Sequence, residues 1–269
     1  MHTDISIICS AYNSEATISD MIDSILKQSY QNFLLYIVND GSTDNTLEII
    51  ERFSKLDERI IVINRTNHGL TKSLNYCLER VKSSEYVARI DSDDVWHCEK
   101  LEKQIKFMKK NPHVGILGTD FNEFLKYEDE ESYFFSHGRI PIKHSEIIAE
   151  LPFSNPFLHS SILIRMSILE KVGYYNPEFT FAQDYELWSR ILKVTQGANL
   201  PEILSYRRYS ENMISITKER SQRYYALRVK LRNFRIVTNY KKYIFQLLKD
   251  LGVCTIPTAI LKKIRKPVC

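Results

Sequence analysis

Short apolar runs alternating with segments of helical spacing are what most constrain the fold of this chain. Asp4 to Cys9, Phe33 to Val38, Ile60 to Ile63 and Tyr86 to Ile90 read as strands. Between them apolar residues recur at helical intervals: Ile18, Met21, Ile22, Ile25 and Leu26 within 14–28, then Leu47, Ile49, Ile50 and Phe53, then the stretch from Leu70 to Val81. Strands alternating with helices of this length form βαβ units, hence an α/β domain with a mostly parallel sheet flanked by helices on both faces. The right-handed crossover brings the C-terminal ends of such strands to one rim. Ala11-Tyr12-Asn13, Asp40 and Asp91 to Asp93 are therefore expected to meet, although they lie far apart in the chain.

The fourth run ends abruptly. Tyr86-Val87-Ala88-Arg89-Ile90-Asp91-Ser92-Asp93-Asp94-Val95-Trp96 passes from an apolar strand to three carboxylates within four residues. Side chains alternate along an extended chain, so Asp91 and Asp93 point the same way, and two like charges held that close need a cation. Ligands of open α/β sheets bind outside the carboxyl ends of the strands. Paired Asp oxygens with room for water and phosphate suit Mg²⁺ or Mn²⁺. The plain alternative is a solvated acidic turn.

Further along, a helix is expected from Trp96 to Lys110, a strand over Val114–Gly118, a strand over Ile162–Arg165, a short helix over Met166–Val172 and another over Tyr185–Val194. Asp120 to Arg139 loses periodicity and carries an acidic run, Glu128 to Glu131, which reads as a mobile loop or as a flap over a second substrate. At 269 residues and 43% hydrophobic content the chain has material for one large domain or a domain with an appendage. Its five cysteines form no C-x-x-C pair and no signal-like segment opens the sequence, so reduced thiols in a cytoplasmic protein are expected.

Taken in order, the motifs resemble the family 2 glycosyltransferases, inverting enzymes with the GT-A fold, over about the first 215 residues. Ser6 to Glu15 is similar to the family's opening strand and donor-base loop, Val38 to Asp44 to its second such loop, and Asn67-His68-Gly69-Leu70 to the turn before its third helix. Asp91-Ser92-Asp93 is similar to its D-x-D metal motif. Leu169 to Gly173 and Ala182 to Trp188 match its acceptor-side block. The resemblance implies that Asp40 accepts a hydrogen bond from a pyrimidine base, that Tyr12 lies against its ring, and that the main chain at Ala11 and the carboxylate of Glu15 sit near the nucleoside. It further implies Asp91 and Ser92 near the ribose and metal-bound waters, and Asp93 on Mn²⁺ or Mg²⁺ through the diphosphate of a nucleotide sugar, UDP-linked by the family's preference. Asp184 matches the base that takes the acceptor's proton, and the acceptor would be a glycan or lipid-linked sugar of cell-surface polysaccharide. The sequence departs from the usual pattern at Asn39, Cys98 and Gln183, the last removing a charge beside the proposed base.

The net charge of +4 hides a division. Residues 1–216, the proposed catalytic domain, carry 23 Lys+Arg against 31 Asp+Glu, whereas 217–269 carry 14 against 2. Ser221 to Tyr243 has an amphipathic helical pattern with a basic face, and Ile244 to Ile264 is apolar but too interrupted by Lys249, Asp250, Gly252 and Pro257 to span a bilayer. This basic helical extension is expected to hold the protein peripherally on the inner, anionic face of a membrane; the alternative is a helical face packed on the catalytic domain. Nucleic acid is the less favoured anionic partner, kept open by tyrosines interleaved with the cations.

Other readings compete. His159, Tyr185 and Trp188 are read as core residues, and the plain alternative for Asp184 is an N-cap of the helix over Tyr185–Val194. A nucleotidyltransferase on a similar sheet would want a glycine-rich phosphate loop after the first strand, and no glycine precedes Gly41. A silent sugar-nucleotide-binding module would not need Asp40, Asp91, Asp93 and Asp184 together.

Overall fold

The computed structural model describes residues 3–81, 84–125, 133–134, 140–209 and 218–255. Strands β1 (Thr3–Ala11), β2 (Phe33–Asp40), β3 (Ile60–Arg65) and β4 (Ser84–Arg89) are linked by α1 (Ile18–Leu26), α2 (Thr46–Leu56) and α3 (Leu70–Leu78). They pair in parallel in the order β3-β2-β1-β4, with Ile8 opposite Tyr36 on one side and Arg89 on the other. Alternation along β1 explains the two-sided burial. Ile5, Ile7 and Cys9 join the core beneath α1, where Ile18, Met21, Ile22 and Ile25 form one buried stripe, while Ile8 joins Val38, Val87 and Leu74 on the opposite face.

Beyond β4 the pairing direction changes. β8 (Leu163–Arg165) is antiparallel to β4, β6 (Val114–Phe124) is antiparallel to β8, and β9 (Gln196–Arg208) runs parallel to β6 before β5 (Val95–Trp96) closes the sheet against β9. Three expectations change here. The helix expected from Trp96 starts later, as α4 (Lys100–Lys110), because Val95 and Trp96 are drawn into pairing with Tyr206 and Ser205. The strand expected to end at Gly118 continues to Phe124, into the stretch without periodicity, because β9 lies along its whole length. β9 itself had no expected counterpart. The two-residue β7 (Tyr133–Phe134) pairs with β6, and the acidic run 128–131 lies outside the described residues.

The remaining helices are α5 (His144–Glu150), α6 (Met166–Val172), α7 (Gln183–Ile191), α8 (Glu219–Arg232) and α9 (Tyr240–Thr255). The described part of the C-terminal extension packs on the domain. Val229 of α8 enters the core beside Leu187 and Trp188, Tyr225 tilts against Phe179 and Phe181, and Ser189 Oγ donates to Asn233 Oδ1 at 3.0 Å. α8 and α9 are joined by a buried ion pair, Lys230–Asp250 at 2.6 Å, with Arg223 also 2.9 Å from Asp250. The proposed boundary at 216/217 falls outside the described residues, as does the sequence from 256 on. Cys9, Cys77, Cys98 and Cys254 are free thiols.

Candidate active site

The rim where β1, β2 and β4 end opens into a cleft of about 1670 Å³. Small-ligand pockets run to about 300–1,000 Å³, so this cleft has room for two substrates side by side. Tyr12, Asp40, Asp91, Ser92 and Asp93 line it, and so does Asp184. The gathering expected of these carboxylates therefore exists.

The strand-end loops hold one another. Asn13, at a left-handed φ of 51°, accepts from Thr43 N–H at 2.8 Å through Oδ1, and its own N–H donates to Ser42 Oγ at 3.1 Å. Asp44 steadies the start of α2, its Oδ1 accepting from Thr46 N–H at 3.0 Å, while Ser42 and Thr43 are committed to Asn13. Glu15 also serves this loop, accepting from the main chain and side chain of Asn45 at 3.0 and 2.9 Å. Ala11 is fully buried in β1. Neither Ala11 nor Glu15 is among the described residues lining the cleft, whereas Ser10, Tyr12 and Ser14 are.

Asp40 is buried and heavily engaged. Its carboxylate accepts from His68 N–H at 3.0 Å, Gly69 N–H at 2.8 Å and Ser73 Oγ at 2.6 Å, with Arg65 4.0 Å away. The turn it grips needs glycine at two places. Gly69 has a φ of 85°, and Gly41, at 74°, approaches so closely that a β-carbon would sit 2.6 Å from Asn67 N.

The Asp91–Asp94 cluster is differentiated by its surroundings. Arg89, wholly buried, presents both terminal nitrogens to the two oxygens of Asp91, and Ser160 Oγ bridges to Asp91 as well. Asp94 is turned inward, where its Oδ1 accepts from Arg208 N–H at 3.0 Å and burial pushes its carboxyl up. Asp93 remains facing the cleft with no ion-pair partner among the described residues, and burial, followed by the charge of Asp91, pushes its carboxyl up to about 6. A carboxylate destabilised in this way is one a cation would relieve. Among the described residues no group of three or more His, Cys, Asp or Glu could hold a metal by itself. One or two carboxylates completed by a diphosphate is the usual mode for Mg²⁺ or Mn²⁺, and Asp93, seconded by Asp91, fits it.

Asp184 stands in the first turn of α7, after Ala182 at a left-handed φ of 52°. Asn155 Nδ2 donates to its Oδ2 at 2.6 Å, and burial raises its carboxyl above the usual range, opposed by the Tyr185 N–H and Arg89. His159 is a core histidine as expected: it bonds Tyr175 Oη at 2.8 Å, packs on Trp188, and is held neutral by burial. Tyr185 and Trp188 are likewise buried. Sequence reasoning missed Arg89, Asn155, Ser160 and the adjacent Arg207-Arg208. Of these only Arg89 carries a local signal, a lone cation inside an apolar strand just before a row of carboxylates.

A sequence model of the family described as Glycosyl transferase family 2 matches residues 6–173. The chain belongs to that family. Among its relatives, the O-antigen biosynthesis glycosyltransferase WbnJ of Escherichia coli is 30% identical over 256 residues, covering 92% of this chain and 96% of that one. The E. coli UDP-Glc:alpha-D-GlcNAc-diphosphoundecaprenol beta-1,3-glucosyltransferase WfaP is 29% identical over 224 residues, 80% of each. Among solved structures, S. aureus TarS 1-349 in complex with UDP-GlcNAc superposes with a TM-score of 0.69 at 20% identity, covering 93% of this chain and 72% of that one. The mannosyltransferase PcManGT of Pyrobaculum calidifontis, in complex with GDP-Man and Mn²⁺, gives 0.66 at 16% identity over 98% and 79%. These likenesses establish the GT-A fold for this family 2 member.

Proposed function

We propose that this protein transfers a sugar, with inversion, from a nucleotide-diphosphate donor, UDP-linked, to a hydroxyl of a glycan or lipid-linked acceptor in cell-surface polysaccharide synthesis. The observation that carries the reading is the shared cleft: Asp93 and Asp184 line one cavity large enough for both substrates. Tyr12, exposed at the rim, offers an aromatic face to the base, and Asp40, already accepting from His68, Gly69 and Ser73, keeps the adjoining wall rigid. Arg89 holds Asp91 in place beside Asp93 and offsets part of its charge. A divalent cation on Asp93, Mn²⁺ or Mg²⁺, would neutralise the charge that develops on the departing diphosphate.

Asp184 then acts as the base. Its burial raises its proton affinity, and Asn155 fixes its orientation. The acceptor oxygen forms a bond to the anomeric carbon as the carbon–oxygen bond to the diphosphate breaks, the electron pair leaving with the diphosphate and the acceptor's proton passing to Asp184. One displacement through an oxocarbenium-like transition state inverts the configuration. WbnJ and WfaP, by their names, support the polysaccharide setting and a diphosphate-lipid acceptor, and with them a site of work on the inner face of a membrane.

The test is a panel of nucleotide sugars assayed for metal-dependent turnover. Asp93→Ala is expected to lower it about 10²–10³-fold, the scale of losing one electrostatic stabiliser of a transition state. Turnover that ignores a chelator would reject the metal, and no turnover of any donor would reject the reading.

A further inference from the structure

Helix α9 has two sides of opposite character. Tyr243, Asp250 and Val253 face inward and are buried against α8 and Phe153. Ile244, Phe245, Leu248 and Leu251 face outward, 54, 60, 61 and 44% exposed, at a spacing that sets them on one side of the helix. Single exposed apolar residues are ordinary, but a row of large ones is a contact surface. Phe234 and Ile236, in the turn before α9, are also exposed and extend the apolar character of this end of the chain. Cations accompany it. Arg235, Lys241 and Lys249 are exposed and have no ion-pair partner among the described residues, and the sequence after the helix adds Lys262, Lys263, Arg265 and Lys266 with no acid.

The charge decides between two occupants of such a face. A second copy would bring the same lysines against each other, whereas an anionic bilayer neutralises them. No described helix is long and apolar enough to cross a membrane. We propose that α9 lies in the plane of an anionic lipid surface, with Ile244, Phe245, Leu248 and Leu251 in the boundary between headgroups and acyl chains and Lys241 and Lys249 on lipid phosphates. The helix also fixes an orientation. Asn239, just before α9, and Lys242 in its first turn line the cleft, so docking of the outer face of α9 sets the cleft wall that this helix carries beside the bilayer. This last step rests on the transfer reading; the docking does not.

Flotation of the full chain with vesicles of phosphatidylcholine, alone or mixed with phosphatidylglycerol, tests the docking. Binding is expected only to the anionic vesicles and to weaken with salt. Lys241→Gln and Lys249→Gln, which leave the core untouched, are each expected to lower it about fivefold, the share of one cation at such a surface. Phe245→Ser with Leu248→Ser is expected to abolish it while UDP affinity, measured by calorimetry, is retained. Absence of flotation by the parent chain, or flotation indifferent to all these changes, overturns the proposal. So does a concentration-dependent dimer, seen by light scattering, that the Ser variants dissolve in a chain that never floats. If vesicles bind as expected but no nucleotide sugar is turned over, docking stands and the transfer reading falls.

Discussion

Within the cleft, Tyr12, Asp40, Asp91 and Asp93 all sit at or just beyond the ends of parallel strands. The rest of its lining borrows from scattered sources: Asn155 from the loop after α5, Asp184 from α7, Gln222 from α8, Asn239 and Lys242 from the start of α9. The strand-end half is set by backbone pairing, since each strand delivers its last residues to the rim whatever else the chain does. The helix-built half exists only when side chains from distant segments pack, as Tyr225 does on Phe179 and Lys230 does with Asp250. The first half should therefore bear local substitutions with confined effects, and the second should transmit damage.

The sharpest break in that comparison is expected from Asp184→Asn. Losing the base lowers transfer about 10²–10⁴-fold, while UDP affinity by calorimetry stays as in the parent chain, because the donor end stands without it. Robust transfer by this variant would remove Asp184 from the mechanism. Next is Asp250→Ala, remote from every strand end. It leaves Lys230 buried without its carboxylate, which costs about 3–5 kcal/mol, read as a lowered denaturant midpoint, and loosens the wall carrying Lys242. Tyr12→Ala stays local by contrast: losing one stacking face costs about 1–3 kcal/mol of UDP affinity, with the unfolding midpoint unchanged.

The smallest effect concerns pH. Transfer needs Asp184 ionised, and burial raises its pKa, so activity is expected to fall on the acid side at a pH above the ordinary carboxylate range. The Asn155 hydrogen bond favours the ionised form. Asn155→Ala is therefore expected to move that limb to higher pH, by under about one unit if the bond is worth about 1 kcal/mol. A limb that moves down would mean that another group titrates.

The same contrast governs what could be read in advance. Asp91 and Asp93 announce themselves because an apolar strand stops at them, and Asp40 because Gly41 follows a second strand. Glu15, implied only by the resemblance, and Ala11, expected at the rim, are not among the described residues lining the cleft. Glu15 is turned aside by Asn45, a partner thirty residues away whose hold on it depends on how two loops meet. Asn155 and Arg208 gave no signal at all. Their roles arise from contacts with Asp184, Asp94 and Asp20 across 29, 114 and 188 positions. β9 was missed for a similar reason: Pro201 and Glu202 interrupt its apolar pattern, and its place beside β6 is won through register shifts along the pair.

By itself the order of residues determined the parallel half of the sheet, the rim at its strand ends and the carboxylates gathered there, because hydrophobic periodicity and crossover handedness act over a few dozen residues. Tertiary structure alone decided which of those carboxylates is free. All three line the cleft, but Arg89 occupies Asp91, Asp94 is buried and accepts from the main chain of Arg208, and Asp93 has no ion-pair partner among the described residues. It also decided that the basic tail, in its described part, forms one wall of the cleft while showing an apolar row on its far side. Charge and hydropathy record what a segment contains; which face it turns inward is settled by the partners that compete for it.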